Sequence, residues 1–243
     1  MPTLGLLMLQ TRFPRPPGDI GHPLTFGFEV RRRVVQGATP ERVVRGSDPA
    51  VLQPFIDSAR ELLDEGCNAI TTSCGFLARW QRELQAALPV PVWSSALLQL
   101  AEQQARGRRC GVITIEAASL GAAHFLGVGA DPATPVEGIT PGSALHRTLL
   151  QDLPTLDAAD AQAQVLAAAA RLRSRHPDID TLVLECTNLP PYAPALRAAT
   201  GLPVLDVVTL LEARMAALAV GLRGQGREVA PVLASVRSDQ GRR

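Results

Sequence analysis

Short apolar runs alternate along this chain with longer segments in which apolar residues recur at helical spacing. Apolar runs of about 4–8 residues are typical of buried strands, and their alternation with helical segments favours an α/β fold with a parallel sheet. Strands are predicted at Leu4–Leu9, Asn68–Thr72, Pro91–Trp93, Cys110–Ile115, Thr181–Glu185 and Pro203–Asp206. Helices are predicted at Pro49–Glu65, Leu77–Ala87, Ala96–Ala105, Ala117–Leu126, Ala158–Ser174, Pro191–Thr200 and Val207–Leu222.

The two halves of the chain repeat one arrangement of strands and loops. Cys74 follows a predicted strand, and Pro91 opens the next strand seventeen positions later. Cys186 and Pro203 have the same relation and the same separation. A duplicated unit explains this agreement most simply, and chance similarity between βα units of ordinary length is the alternative. We predict two similar, pseudo-symmetric α/β domains with parallel sheets and an active site in the cleft between them, because such sheets bind ligands beyond the carboxyl ends of their strands.

The boundary between the two domains is predicted in a short polar stretch, Arg106–Arg109, which follows a helix and precedes a strand. The first domain then covers residues 1–106 and the second covers residues 107–206. The segment 235–243 is polar, and we expect it to form a frayed tail.

Composition narrows the range of partners. The net charge is +1 and aromatic residues make up 4% of the chain, so the charge pattern of a nucleic-acid-binding protein is missing. The run Arg31–Arg33 is interpreted as the solvated edge of a strand or loop. No apolar run approaches the roughly 20 residues of a membrane span, and the N-terminus lacks the features of a signal peptide. We expect a cytoplasmic protein that binds a small molecule and neither nucleic acid nor a membrane.

The cysteines divide into two classes. All four are expected to be reduced thiols, and neither their spacing nor that of the four histidines matches a metal site, so no metal is expected. Cys67 and Cys110 lie outside the strand-end loops and are interpreted as inert core residues. Cys74 and Cys186 occupy matching positions where strands end, and this match favours a catalytic role over burial as inert core.

Paired thiols at these positions suit proton transfer at carbon. Each thiol precedes a predicted helix, whose N-terminal field is expected to lower the thiol pKa toward neutrality. A thiolate can then remove a proton from one face of a carbon acid, while the other thiol donates a proton to the opposite face. Hydroxyl, amide and backbone N–H groups beside the cysteines are expected to bind the substrate, at Thr72, Ser73, Gly75, Thr187 and Asn188.

At these loops the sequence resembles the aspartate/glutamate racemase superfamily, which includes amino-acid racemases, hydantoin racemase, maleate isomerase and arylmalonate decarboxylase. The segments Thr72–Gly75 and Cys186–Asn188 fall where that family keeps its paired catalytic cysteines, and Thr114 falls where it often places a substrate-binding hydroxyl. The resemblance covers nearly the whole chain. It implies two similar domains with the active site between them, no cofactor, a homodimer, and a C-terminal helix, over residues 207–234, that packs back on the first domain.

Two departures from the family pattern affect the expected substrate contacts. Amino-acid racemases usually follow the first cysteine with Asn-Thr, where this chain has Gly75–Phe76. Glutamate racemases end their first strand with Asp-Ser, whereas here Gln10–Arg12 leads into a proline-rich loop. Arg12 or Arg15 is a candidate anchor for a substrate carboxylate through a bidentate ion pair, and a solvated loop position is the alternative for both.

These features support three functional hypotheses. The leading one is a cofactor-independent racemase or epimerase of an amino acid or a related small carboxylate, acidic amino acids included, in which both thiols transfer protons. The second is a decarboxylase or cis-trans isomerase of a small dicarboxylate, in which one cysteine reacts and the other supports it. The third is a small-molecule binding protein without turnover, which has no need for a thiol on each face of its ligand.

Overall fold

The computed structural model describes residues 1–46 and 48–225. Within them, two four-stranded parallel sheets form, one from each half of the chain. The first sheet has the spatial order β2-β1-β3-β4, with β1 at Leu4–Met8, β2 at Val30–Val34, β3 at Ala69–Thr72 and β4 at Val92–Trp93. The second has the order β6-β5-β7-β8, with β5 at Cys110–Thr114, β6 at Val136–Gly138, β7 at Thr181–Leu184 and β8 at Val204–Leu205.

Helices connect the strands and cover the sheets. The α-helices are α1 at Leu52–Asp64, α2 at Gln81–Ala87, α3 at Leu98–Ala105, α4 at Ala122–Gly127, α5 at Ala144–Leu150, α6 at Ala158–Arg175, α7 at Ala193–Thr200 and α8 at Val207–Gln225. Short 3₁₀ turns precede several of them, at Pro49–Val51, Gly75–Trp80, Ala117–Ser119 and Pro190–Tyr192. A single π-helical turn is described at Glu41–Arg45.

The predicted fold is confirmed. Each predicted strand and helix has its counterpart in the structure, and the two sheets repeat one strand order, as a duplicated unit requires. Strands β1, β3, β5 and β7 are buried along their whole length, because both faces of a parallel sheet are covered. Their continuous apolar runs made them recognisable in the sequence.

Two edge strands were missed for a physical reason. Strand β2 has the sequence VRRRV, and Arg33 forms ion pairs with Glu61 and Glu65 at the surface. Strand β6 is three residues long, and Glu137 at its centre pairs with Arg171 at 2.9 Å. A strand at a sheet edge keeps one side in contact with water, so it tolerates charges that hide the strand pattern.

The central strands bring the two halves together at their carboxyl ends. Thr187, after β7, donates a hydrogen bond from its hydroxyl to the carbonyl oxygen of Ser73, after β3, at 2.6 Å. The backbone N–H of Ile20 donates to the carbonyl oxygen of Thr187 at 3.4 Å. The loops that carry Cys74 and Cys186 are therefore joined directly across the two sheets.

Helix α8 contacts α3 of the first half. The hydroxyl of Thr209 donates to Oε1 of Gln99 at 3.4 Å, and Arg214 forms an ion pair with Glu102. The rest of the helix expected over 207–234, and the tail expected over 235–243, lie outside the described residues. The domain boundaries stay a prediction. No helix in the described part of the chain combines the length and the apolar character that crossing a membrane requires.

Candidate active site

Cys74 and Cys186 line one narrow cavity between the two sheets, with a volume of about 30 Å³. Cys74 stands two positions after β3, and Cys186 stands two positions after β7. Both side chains are buried. The cavity is lined by Leu9, Phe13, Pro40, Val44, Ser73, Cys74, Gly75, Phe76, Ile115, Leu149, Leu150, Glu185, Cys186, Thr187 and Asn188.

The cavity walls follow the internal repeat. Equivalent positions of the two halves face it in pairs, namely Leu9 and Ile115, Ser73 and Glu185, Cys74 and Cys186, Gly75 and Thr187, and Phe76 and Asn188. The thiols are therefore related by the duplication, whereas the residues around them differ in size and charge.

Hydrogen bonds fix the loop of Cys74. The hydroxyl of Thr72 donates to the carbonyl oxygen of Cys74 at 3.0 Å, or to that of Ser94 at 2.9 Å. The hydroxyl oxygen of Ser73 accepts a hydrogen bond from the backbone N–H of Leu9 at 2.8 Å. Thr72 thus positions the loop from behind the cavity, while Ser73 lines it.

The pKa values of the thiols run against the sequence-based expectation. Burial raises the pKa of Cys74 well above its ordinary value, and the nearby Glu185 raises it further. Burial and Glu185 likewise raise the pKa of Cys186. A backbone N–H group opposes the rise at each thiol, but loss of water outweighs it. The expected lowering of these pKa values is wrong, because burial favours the neutral form of both thiols.

Glu185 is the functional candidate that sequence reasoning missed. Its side chain is fully buried, and its Oε2 accepts a hydrogen bond from the hydroxyl of Thr114 at 2.6 Å. Its Oε1 has no hydrogen-bond partner in the described structure. Burial raises the pKa of this carboxyl to about 7, and the bond from Thr114 opposes that rise. The available signal was a carboxylate that directly follows the apolar strand Thr181–Leu184 and precedes a candidate catalytic cysteine.

Gly75 allows the two halves to approach closely at this carboxylate. A Cβ atom at Gly75 would lie 2.3 Å from both the carbonyl oxygen and Oε1 of Glu185. Contacts under 3.0 Å are essentially never made by real Cβ atoms. The departure from the Asn-Thr pattern after the first cysteine therefore has a local cause, because any larger residue would displace Glu185.

Thr114 lies behind the cavity wall, whereas Asn188 forms part of it. The Thr114 hydroxyl is buried and bonded to Glu185, and Thr114 does not line the cavity. The Asn188 amide donates to Oδ2 of Asp19 at 2.7 Å, and its Oδ1 lies 3.6 Å from Sγ of Cys186 as a hydrogen-bond acceptor. The structure thus places Asn188 at the second thiol.

The structure does not bring Arg12 to the cavity. Its guanidinium pairs with Asp152 at 3.2 Å, and the side chain is 79% exposed. Arg15 pairs with Asp19 at 2.9 Å and lies over the ring of Phe13, 4.6 Å from its centroid. Neither arginine lines the cavity, so any carboxylate bound there depends on backbone N–H groups and on neutral side chains.

Charge and metal-binding capacity are both limited at this site. Among the described residues, Glu185 is the only carboxylate lining the cavity, and no arginine or histidine lines it. Over residues 1–46 and 48–225, no group of three or more histidine, cysteine or acidic residues is arranged to hold a metal ion. Phe13, Val44, Ile115 and the neighbouring leucines make most of the remaining wall apolar.

A family model described as Asp/Glu/Hydantoin racemase matches residues 83–215, which is more than half of the chain and includes Cys186. This chain belongs to the Asp/Glu/Hydantoin racemase family. Among solved structures, unliganded arylmalonate decarboxylase is similar to this chain, and the match covers 100% of this chain and 98% of that one at a TM-score of 0.57 and 16% identity. At that identity the likeness shows the fold alone.

Relatives of higher sequence identity carry a different name. A dimethylsulfoniopropionate lyase of Durusdinium sp. clade D is 32% identical over 227 residues, which span 85% of this chain and 71% of that protein. Dimethylsulfoniopropionate lyase 7 of Emiliania huxleyi (strain CCMP1516) is 30% identical over 246 residues, which span 89% of this chain and 67% of that protein. Proteins similar to this chain are thus named for racemase, decarboxylase or lyase activity, so fold alone does not decide the reaction.

Proposed function

We propose that this chain is a cofactor-independent lyase that removes a proton from the carbon next to a carboxylate and expels a leaving group from the adjacent carbon. Dimethylsulfoniopropionate is the proposed substrate. The observation that carries the proposal is that Cys74 and Cys186 share one small, mostly apolar cavity. The choice of elimination over racemisation is supported by the relatives named as dimethylsulfoniopropionate lyases.

The reaction balances without a cofactor. One cysteine, as a thiolate, takes a proton from the carbon beside the carboxylate, and that C–H electron pair forms a double bond to the next carbon. The bond from that carbon to sulfur breaks, and its electrons leave with dimethyl sulfide. Acrylate remains, and the protonated cysteine returns its proton to water.

The substrate itself supplies the positive charge that the buried thiols lack. A buried thiolate needs a nearby positive charge, and no cationic side chain among the described residues lines the cavity. A sulfonium group in the cavity brings that charge, because opposite charges a few ångströms apart favour the ionised thiol. The cavity encloses only about 30 Å³, so its walls must move apart to admit the substrate. Binding therefore lowers the pKa of the reacting thiol in the complex, relative to the ligand-free site.

The proposal is tested by incubating the protein with dimethylsulfoniopropionate in heavy water. We expect dimethyl sulfide, measured by gas chromatography, and acrylate, measured by proton NMR, in equal amounts. Elimination needs a base on one face only, and a neutral sulfide leaves without a proton. One of Cys74→Ser and Cys186→Ser should therefore lower kcat by roughly 10³-fold or more, and the other should have a smaller effect. Cys67→Ser, outside the cavity, is the matched control and should retain turnover.

Racemisation is the second candidate, because two thiols in one cavity also suit proton transfer on opposite faces. Exchange of the α-hydrogen and loss of optical rotation in a panel of amino acids, abolished by either cysteine substitution, would establish that reaction. Carbon dioxide release from a small dicarboxylate would indicate the decarboxylase. Binding without turnover would indicate a binding protein. Homodimer formation and a cytoplasmic location stay predictions.

A further inference from the structure

Glu185 occupies a position that opposes the chemistry proposed for its neighbours. Its negative charge raises the pKa of both Cys74 and Cys186, which makes a thiolate harder to form. A site built only to ionise a thiol would not place a buried carboxylate beside it. The carboxylate therefore needs an explanation apart from the thiols.

The hydrogen bonding of Glu185 is incomplete in a specific way. Oε2 is bonded to Thr114 at 2.6 Å, whereas Oε1 has no partner among the described residues. Oε1 lies beside Gly75, which also lines the cavity. Buried charges in proteins are paired with a counter-charge or hold a metal, and a buried carboxyl group without such a partner takes up a proton more readily. A ligand in the cavity is thus the available partner for Oε1.

The side chains around the cavity determine which kind of cation could pair with Oε1 of Glu185. The described residues contain no metal-binding group of three or more ligands, so a metal ion has too few ligands here. Phe13 and Phe76 line the cavity together with aliphatic side chains. Aromatic and aliphatic walls suit a methylated onium group, whose charge is spread over methyl groups that donate no conventional hydrogen bonds. A primary ammonium would leave its three N–H donors poorly satisfied against such walls.

We propose that Glu185 recognises a methylated onium group of the substrate, and that the enzyme thereby selects carboxylates that carry such a group over neutral ones of the same shape. This inference rests on the proposed function, because it assigns the substrate class of the same cavity. It makes Glu185 a binding residue whose charge is compensated only when the substrate is present.

The experiment compares two ligands that differ by one charge. 3-(Trimethylammonio)propanoate and 4,4-dimethylpentanoate have the same shape, and only the first is cationic at its branched end. Isothermal titration calorimetry at pH 8 gives both Kd values, and NMR checks that the ligands stay intact. The wild-type protein should bind the cationic ligand roughly 30-fold more tightly or better, which is the effect expected of a buried charge pair.

Two variants separate recognition from folding. Glu185→Gln keeps the shape and an acceptor for Thr114, and it should reduce the preference to about twofold or less. Glu83→Gln removes an exposed carboxylate from α2 and should leave the preference intact. A preference that persists in Glu185→Gln, or that is missing from the wild type, overturns the inference. Preference that depends on Glu185 without lyase turnover would uphold the inference and overturn the proposed function instead, so the two failures are distinguishable.

Discussion

The buried carboxylate of Glu185 should make the protein less stable as the pH rises. Its folded-state pKa is about 7, against an ordinary value of 4.5. Between these values the unfolded chain loses the proton first, so rising pH favours the unfolded state. The contribution of the protonated group is complete below pH 4.5 and is lost as the pH passes 7. The difference between these two pKa values, at 1.36 kcal/mol per pKa unit, corresponds to about 3 kcal/mol in the free energy of unfolding.

Glu185→Gln isolates this effect because glutamine does not titrate. Urea unfolding, followed by circular dichroism at several values between pH 5 and pH 8, gives the free energy of unfolding of both proteins. All other titrating groups contribute equally, so the difference between the two curves reports Glu185. We expect the wild type to lose about 2–3 kcal/mol relative to the variant across this range, because part of the full effect is already lost at pH 5. A difference between the two curves that is the same at every pH does not report the titration of Glu185, since a buried amide has its own hydrogen-bonding cost. Parallel curves would refute the assignment of a buried carboxylate with a raised pKa.

Two further substitutions test the geometry of the site. Gly75→Ala should destabilise the protein by about 1–3 kcal/mol and lower kcat/KM more than tenfold, because its Cβ would lie 2.3 Å from Glu185. Thermal unfolding measures the stability, and steady-state kinetics measure kcat/KM. A variant with unchanged activity would show that the carboxylate of Glu185 moves freely. Arg12→Ala should change kcat/KM by less than about twofold, because an exposed ion pair with Asp152 contributes roughly 0–1 kcal/mol. A tenfold rise in KM for this variant would instead restore Arg12 as the anchor of the substrate carboxylate.

The sequence was sufficient to predict the strands that are buried on both faces, because burial on both faces requires a continuous apolar run. Strands β1, β3, β5 and β7 were predicted within one or two residues for that reason. Helix α5, at Ala144–Leu150, was missed because it is short and its sequence includes buried polar residues. Long-range polar contacts were also beyond sequence reasoning. The bond of Thr114 to Glu185 joins residues 71 positions apart, and nothing in either local pattern indicates it.

The thiol pKa values show a related limit. Position at a strand end suggested a helix field, but the residues after Cys74 form a 3₁₀ turn, and burial dominates. A local pattern identifies the donors beside a thiol, whereas the loss of water depends on what the other half of the molecule places over it. Here that half contributes Glu185, whose backbone and carboxylate both meet Gly75.

The duplication explains why two thiols face one cavity. The positions at which the two halves differ bear on the reaction. A racemase removes a proton from either face of its substrate, so each of its two cysteines has to act as a base. In this chain the residue before each cysteine differs, with neutral Ser73 in one half and a buried carboxylate, Glu185, in the other. Among the described residues, the cavity wall thus carries a single carboxylate, which one half of the molecule contributes. It suits a substrate with a cation at one end and a carboxylate at the other, from which a base on a single face removes one proton.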